Sequence, residues 1–179
     1  MTYSVLIPSA IAAMNVDSFN RSAVDVADIE QGTILVMGAR STTAGLGEVF
    51  EVSQPVTGAL TGNWMAYSGD EIVLTDAKYK GLDPDPRNFI NAAGKVFSAY
   101  KPQLGDIITI TDAGLTGSYS AGVTTHINAT DQEWKLKWGN SQTGSVLSYK
   151  LLGVKYISLA TGAIDTQRVV AYEFECVGL

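Results

Sequence analysis

The chain of 179 residues has one cysteine and one histidine. Cys176 alone can close no intrachain disulfide, and a metal site built from several cysteines is excluded. It sits in VVAYEFECV, where apolar and polar residues alternate, so it is expected as a buried structural thiol of a strand. A chain without a disulfide fits synthesis in a cytosol. A single histidine, His126, rules out a site with a pair of imidazole ligands. It lies in the loop-like AGVTTHINATD with no nucleophile motif beside it, so it reads as structural or solvated. Neither GxSxG nor GxxxxGK[ST] occurs, which removes the signals for a nucleophile elbow and a P-loop. The glycines of GARSTTAGLGE match no phosphate fingerprint and are expected in turns. No catalytic residue, cofactor or metal is called, and the chain is not expected to be an enzyme.

Charge is also scarce. Charged residues are 17% of the chain, below the quarter usual for a soluble domain, while apolar residues reach 46%. Two readings stay open: a partner covers part of the surface, or the surface is a neutral one rich in Ser, Thr and Gly. The net charge is −6 and the 12 basic residues are scattered, which argues against nucleic-acid binding. No apolar run is long enough to span a bilayer, so no membrane role is expected. The opening MTYSVLIPSAIAAMNVD lacks a basic start and is broken by Pro8, so it reads as part of the working protein and not as a signal peptide.

What is present is short strands and glycine turns. TILVMGA, GLGEVFEVSQPV, NWMAYS, DEIVLTDA, KVFSAY, DIITIT, EWKLKW, SYKLLGVKYISLA and RVVAYEFECV are each strand candidates. In EWKLKW, Trp134, Leu136 and Trp138 fall on one side and Glu133, Lys135 and Lys137 on the other, the pattern of a sheet with one wet face. DPRNFINAAG predicts a helix of about two turns. Asp85 caps it, Pro86 takes the first helical position, Phe89, Ile90 and Ala93 share a face, and Gly94 stops it. The fold expected is mainly β: a single compact β-barrel or β-sandwich domain with one or two short helices and an N-terminal arm. Residues 1–31 form the arm, and 32–179 form the core domain, with the short helix near 86–93.

The arm has apolar side chains without a sustained period, so it cannot bury them by itself. Tyr3, Val5, Leu6, Ile7, Ile11, Met14 and Phe19 are therefore candidate contacts with a neighbouring subunit or another protein. The alternative is an N-terminal strand tucked into its own sheet. Asp70, Glu71, Asp76, Asp83 and Asp85 are expected in turns and caps before calcium or catalysis. Trp64, Trp134 and Trp138 could stack sugars, although aromatics alternating along strands usually face a core. The sequons at Asn20 and Asn128 carry little weight without a secretion signal.

INAAGKVFSAYKPQLGDIITIT resembles a segment of small β-rich proteins encoded beside the major capsid protein in tailed bacteriophages, the head decoration or cement proteins. Ala93, Gly94, Lys95, Tyr100, Gly105, Asp106, Ile107 and Ile110 carry the likeness, NWMAYSGDEIVLT and VVAYEFECV are similar in placement, and Ser98 and Pro102 depart from it. The likeness covers roughly the last two thirds of the chain as pattern. It implies a virion structural protein, made in the host cytoplasm, that binds the outside of the capsid and stabilises it. It implies the major capsid protein as partner and self-association as a trimer, with the seven apolar residues of the arm as contacts. A tail-tube or other virion subunit is the alternative, and a carbohydrate-binding module or adhesin a further one.

Overall fold

A computed structural model describes residues 2–43, 45–56, 63–67, 85–130, 133–144, 146–160 and 166–179. The fold is mainly β, a seven-stranded sheet packed on a closed five-stranded barrel. The strands in chain order are β1 (Leu6–Ala10), β2 (Asn20–Val24), β3 (Ile34–Arg40), β4 (Phe50–Ser53), β5 (Trp64–Tyr67), β6 (Phe97–Tyr100), β7 (Ile107–Thr111), β8 (Leu115–Thr116), β9 (His126–Asn128), β10 (Leu136–Gly139), β11 (Ser148–Ala160) and β12 (Thr166–Gly178). The sheet runs β1-β7-β12-β11-β9-β10-β8, and the barrel runs β2-β4-β3-β5-β6 and closes on β2. The expected strand DEIVLTDA lies outside the described residues.

Alternation along the barrel strands divides the core in two. Leu35, Ala66 and Ala99 point into the barrel with Ala23 and Phe97. Their neighbours Ile34, Met65 and Tyr100 point outward onto the sheet, where they meet Ile108, Ile110, Tyr149 and Phe174. Ala23, Ala66 and Ala99 are each fully buried. A barrel of five strands encloses little volume, so three alanines make room there for Leu35 and Phe97, where larger residues at all five positions would force the strands apart. Tyr100 directs its hydroxyl to Met65 Sδ at 3.1 Å. Burial raises the pKa of both Tyr100 and Tyr149, so both stay neutral in the layer between barrel and sheet.

Residues 1–31 do not form a separate arm. β1 pairs antiparallel with β7, joining Leu6 to Ile110, and β2 pairs with β6 and β4 inside the barrel. Side-chain acceptors from Thr111 and from the end of the leading segment itself hold the start of β1 and the residues before it. Val5 N–H donates to Thr111 Oγ1 (3.0 Å), Leu6 N–H to Gln31 Oε1 (3.1 Å) and Ser4 N–H to Glu30 Oε2 (3.0 Å). The reason is backbone satisfaction: a buried N–H needs an acceptor, and the domain supplies these internally.

The expected two-turn helix is a single 3-10 turn, Pro86–Asn88. Its start matches expectation, with Pro86 at the first position and Asp85 Oδ1 accepting from Arg87 N–H at 2.9 Å. It ends at Phe89, which is extended, because Asn91 pairs with Ile29 through N–H to O bonds in both directions, 2.8 and 3.0 Å. That long-range bridge outcompetes the weak propensity of a two-turn helix. Gly94 has the positive φ of a stop residue, at 69°, but it closes a turn and not a helix.

Two carboxylates make the fold's stability testable. Asp106 is 3% exposed, and its side chain accepts from Ala12 N–H (2.9 Å) and Gln103 N–H (2.8 Å). Asp106→Ala leaves two N–H groups without acceptors and is expected to lower unfolding free energy by about 2–4 kcal/mol in urea titration. Asp106→Asn keeps one acceptor and loses less. Asp85 is held below its ordinary pKa, chiefly by the Arg87 hydrogen bond, which outweighs burial. Folding therefore favours its ionised form, and its contribution is present above the unfolded pKa and lost as pH falls through the folded value. Asp106 has the opposite sign: burial raises its pKa, so its linkage favours folding at low pH and fades as pH rises. The stability gap between wild type and Asp85→Asn is expected to be open at pH 7 and to close on acidification below about pH 4, by thermal melts across pH.

Candidate functional site

The residues able to do chemistry are dispersed. His126 starts β9, opposite Gly139 on one side and Lys150 on the other. Its Nδ1 lies 2.9 Å from Thr125 Oγ1, and burial, then the Lys150 charge, lowers its pKa. The sequence placed it in a loop; the short β9, with the two-residue β8, was missed because neither holds enough residues to show alternation. Cys176 is buried in β12 as expected, and its Sγ lies 3.5 Å from Gly178 O. Burial pushes the thiol pKa up to about 12. Asp85 is engaged with Arg87, while Asp70, Glu71, Asp76 and Asp83 lie outside the described residues. Among the described residues no group of three or more His, Cys, Asp or Glu is placed to hold a metal.

The tryptophans also separate. Trp64 and Trp134 pack against the barrel core, whereas Trp138 is buried in the sheet core. Trp138 meets Tyr119, Tyr172 and Phe174 in tilted or edge-on contacts at centroid distances of 5.3, 5.0 and 5.4 Å. The three indoles form no common platform. Asn128, an expected sequon, is buried, and its amide binds Ser141 O, Thr143 N–H and the Ser148 hydroxyl. It pins the loop after β10 and is not presented at the surface. Among the described residues, one open groove of about 390 Å³ runs past Tyr3, Arg87, Asp112 and Val170, and His126 and Cys176 are not in its lining.

The candidate contacts of the leading segment divide by burial. Val5, Leu6 and Ile11 are each 5% exposed and belong to the protein's own core, and Phe19 packs against that core. Tyr3 is half-buried, with its N–H bound to Arg87 O at 2.7 Å. Ile7 and Met14 remain in water at 39% and 60% exposure. Within β1 the pairing with β7 sends Leu6 to the core and its neighbour Ile7 outward, while Val5 and Ile11 are buried on either side of the strand.

Two apolar surfaces result. The first is a rim made by Met14, Val16 and Leu104. The Asp106 carboxylate ties Ala12 and Gln103 together, so the 12–16 turn and the loop bearing Leu104 lie side by side. Asn20 Nδ2 donates to Ala13 O at 2.6 Å and fixes the turn from its other side. The second is the outer half of the β11–β12 hairpin, where Leu152, Val154, Tyr156 and Val170 are exposed. Leu104 and Tyr156 stand in strand or loop segments that give no sign of exposure in the sequence, since apolar alternation looks the same whether the face is covered or bare.

Comparison with family models, with curated proteins and with solved structures returns no match.

Cys176 supplies a direct check on this map of reactivity. Its burial and raised pKa predict that the folded protein reacts with a thiol reagent such as DTNB at least about 100-fold more slowly than the unfolded chain. The absorbance trace at 412 nm should show one thiol appearing only on denaturation.

Proposed function

We propose that this protein is a structural subunit of a phage particle, a head decoration protein that attaches to the exterior of the capsid and stabilises it, and not an enzyme. The observation that carries the reading is the preformed apolar rim of Met14, Val16 and Leu104, locked around the Asp106 carboxylate. Apolar side chains held in water by a rigid frame favour association, because their burial gains solvent free energy without an ordering penalty for the loop. The frame includes Gly105 and Asp106, two of the residues on which the likeness to decoration proteins rests. Gly105 takes a φ of 87° and donates its N–H to Cys176 O, which sets the rim against the last strand.

Mechanically, such a subunit acts through additive burial. Covering Met14 and Leu104 contributes on the order of 1–2 kcal/mol each. Many copies bridging seams of a shell of major capsid protein make rupture break many such contacts together. The dispersal of His126, Cys176 and the described carboxylates fits a protein whose product is an interface.

The test is co-sedimentation of purified protein with expanded capsid shells stripped of it. Wild type is expected to pellet with shells. A Met14→Glu/Leu104→Glu double variant should bind at least about tenfold more weakly, since each change places a charge in the contact. Val123→Glu, an exposed position on the loop before β9, serves as control and should bind as wild type. Wild type that stays in the supernatant, or a double variant that binds unchanged, overturns the assignment.

A further inference from the structure

β11 and β12 are each 13 residues long, far longer than the strands beside them. β7 reaches β12 only from Ala171 to Glu175, and β9 reaches β11 only from Ser148 to Lys150. β11 has no partner but β12 from Gly153 onward, and from Tyr156–Val170 out to Ala160–Thr166 the two strands pair only with each other among the described residues. A two-stranded ribbon is marginal in water on its own. Its long strands also carry open backbone edges, which proteins ordinarily block.

The rest of the sheet shows that blocking. β1, one outer strand, carries Pro8 and a register shift between Pro8 and Ala10. β8, the other, has two residues. The ribbon has no proline, and beyond the irregularity between Leu151 and Gly153 the pairing runs regularly. Its charges are already engaged: Lys155 is paired with Glu173, and the Arg168 guanidinium lies 4.0 Å from the Tyr156 ring centroid.

One face of the ribbon continues the core face of the sheet. Leu151 pairs with Phe174, Val154 with Tyr172 and Tyr156 with Val170, so these side chains share a side. Phe174 and Tyr172 are covered by the domain, while Val154, Tyr156 and Val170 are 42%, 55% and 38% exposed. The two edges differ. The β12 edge is flanked near Val169 and Val170 by Tyr3, Asp112 and Ala113. The β11 edge from Gly153 onward has no strand beside it among the described residues.

The geometry points to a second copy of this chain as the occupant of the β11 edge, paired antiparallel about a two-fold axis at Tyr156. The open stretch Gly153–Leu159 is centred on Tyr156. Pairing identical strands there sets Tyr156 opposite Tyr156 of the second copy, Lys155 opposite Ile157, and Val154 opposite Ser158. No like charges oppose, and the exposed Val154–Tyr156–Val170 faces merge into one apolar surface across four strands. What favours a second copy is the register: about the two-fold axis the apolar positions of both ribbons fall on one face and no charge meets its like.

Position and area agree. The rim assigned to the shell lies near Cys176, and the ribbon's far end at Thr166 is ten residues along the same strand, about 30 Å away. A copy held at its rim keeps its ribbon free for a lateral neighbour. The apolar patch is on the order of 300–400 Å², and edge pairing leaves the contact below the ~800 Å² per partner of a tight complex. The dimer is accordingly one of micromolar affinity. The inference does not rest on the shell reading, since it concerns the isolated protein.

Sedimentation equilibrium between about 1 and 100 µM tests it. Wild type is expected to dimerise. Val154→Lys/Tyr156→Lys should raise the dimer Kd at least about 100-fold, with far-UV circular dichroism unchanged. Independently, Tyr156→Cys in a Cys176→Ser background should oxidise to a covalent dimer, while Thr166→Cys in the same background should not. A wild type that stays monomeric at 100 µM, forms a trimer, or dimerises undiminished after the double substitution overturns the proposal. Failure of shell binding with an intact dimer would leave this inference standing and remove only the capsid assignment.

Discussion

Three stretches of chain converge on Asp106. Its carboxylate holds Ala12 and Gln103, its carbonyl accepts from Cys176 N–H at 2.8 Å, and Gly105 N–H donates back to Cys176 O at 2.9 Å. Ala12 lies where the chain leaves β1 for β2, Gln103 where it leaves β6 for β7, and Cys176 near the end of β12. Both crossings between sheet and barrel are thus tied to one buried group. A carboxylate suits this place because it accepts from several N–H groups at once, which no apolar side chain of similar size can do. Burial disfavours its charge, and the two backbone bonds offset that in part.

The junction decides what becomes core and what stays outside. With β1 fixed on β7, Leu6 must enter the layer between sheet and barrel and Ile7 must leave it. The layer then fills from both sides, with Ile34, Met65 and Tyr100 from the barrel and Ile108, Ile110 and Phe174 from the sheet. A second clamp supports it: Lys135 binds Glu30 at 3.1 Å and Ala113 O at 2.7 Å, while Glu30 accepts from Ser4 N–H. The pair is half-exposed, so its value lies in positioning the chain before β1 more than in its charge attraction.

The same construction leaves apolar surface uncovered in separate places. The rim is exposed because the Asp106 tie draws two loops together with no third element above them among the described residues. The ribbon is exposed because β11 and β12 outrun their neighbours. Neither resembles a catalytic cleft, and both have a defined backbone: one is tied by side-chain hydrogen bonds, the other by a continuous ladder. That defined backbone is what makes association economical, since little backbone freedom remains to be lost.

Much of the mainly β character was written in local pattern. Alternation in VVAYEFECV and EWKLKW placed Cys176, Leu136 and Trp138 inward, and Asp85-Pro86 announced a capped turn, because such signals act between neighbours in the chain. The length of that turn was not legible: the bridge between Ile29 and Asn91 joins residues far apart in sequence and ended it early. The leading segment was equally undecided. Val5, Leu6 and Ile11 read as apolar in either role; the pairing of β1 with β7, with acceptors for the N–H groups of Val5, Leu6 and Ala12, placed them in the core. Of the residues on the two apolar surfaces, Met14 stood out in the sequence, while Val16, Leu104 and the Tyr156 ribbon did not. Composition and period determine that a side chain needs burial somewhere; which copies of that need go unmet depends on strand register and strand length, and those are settled by contacts across the whole fold.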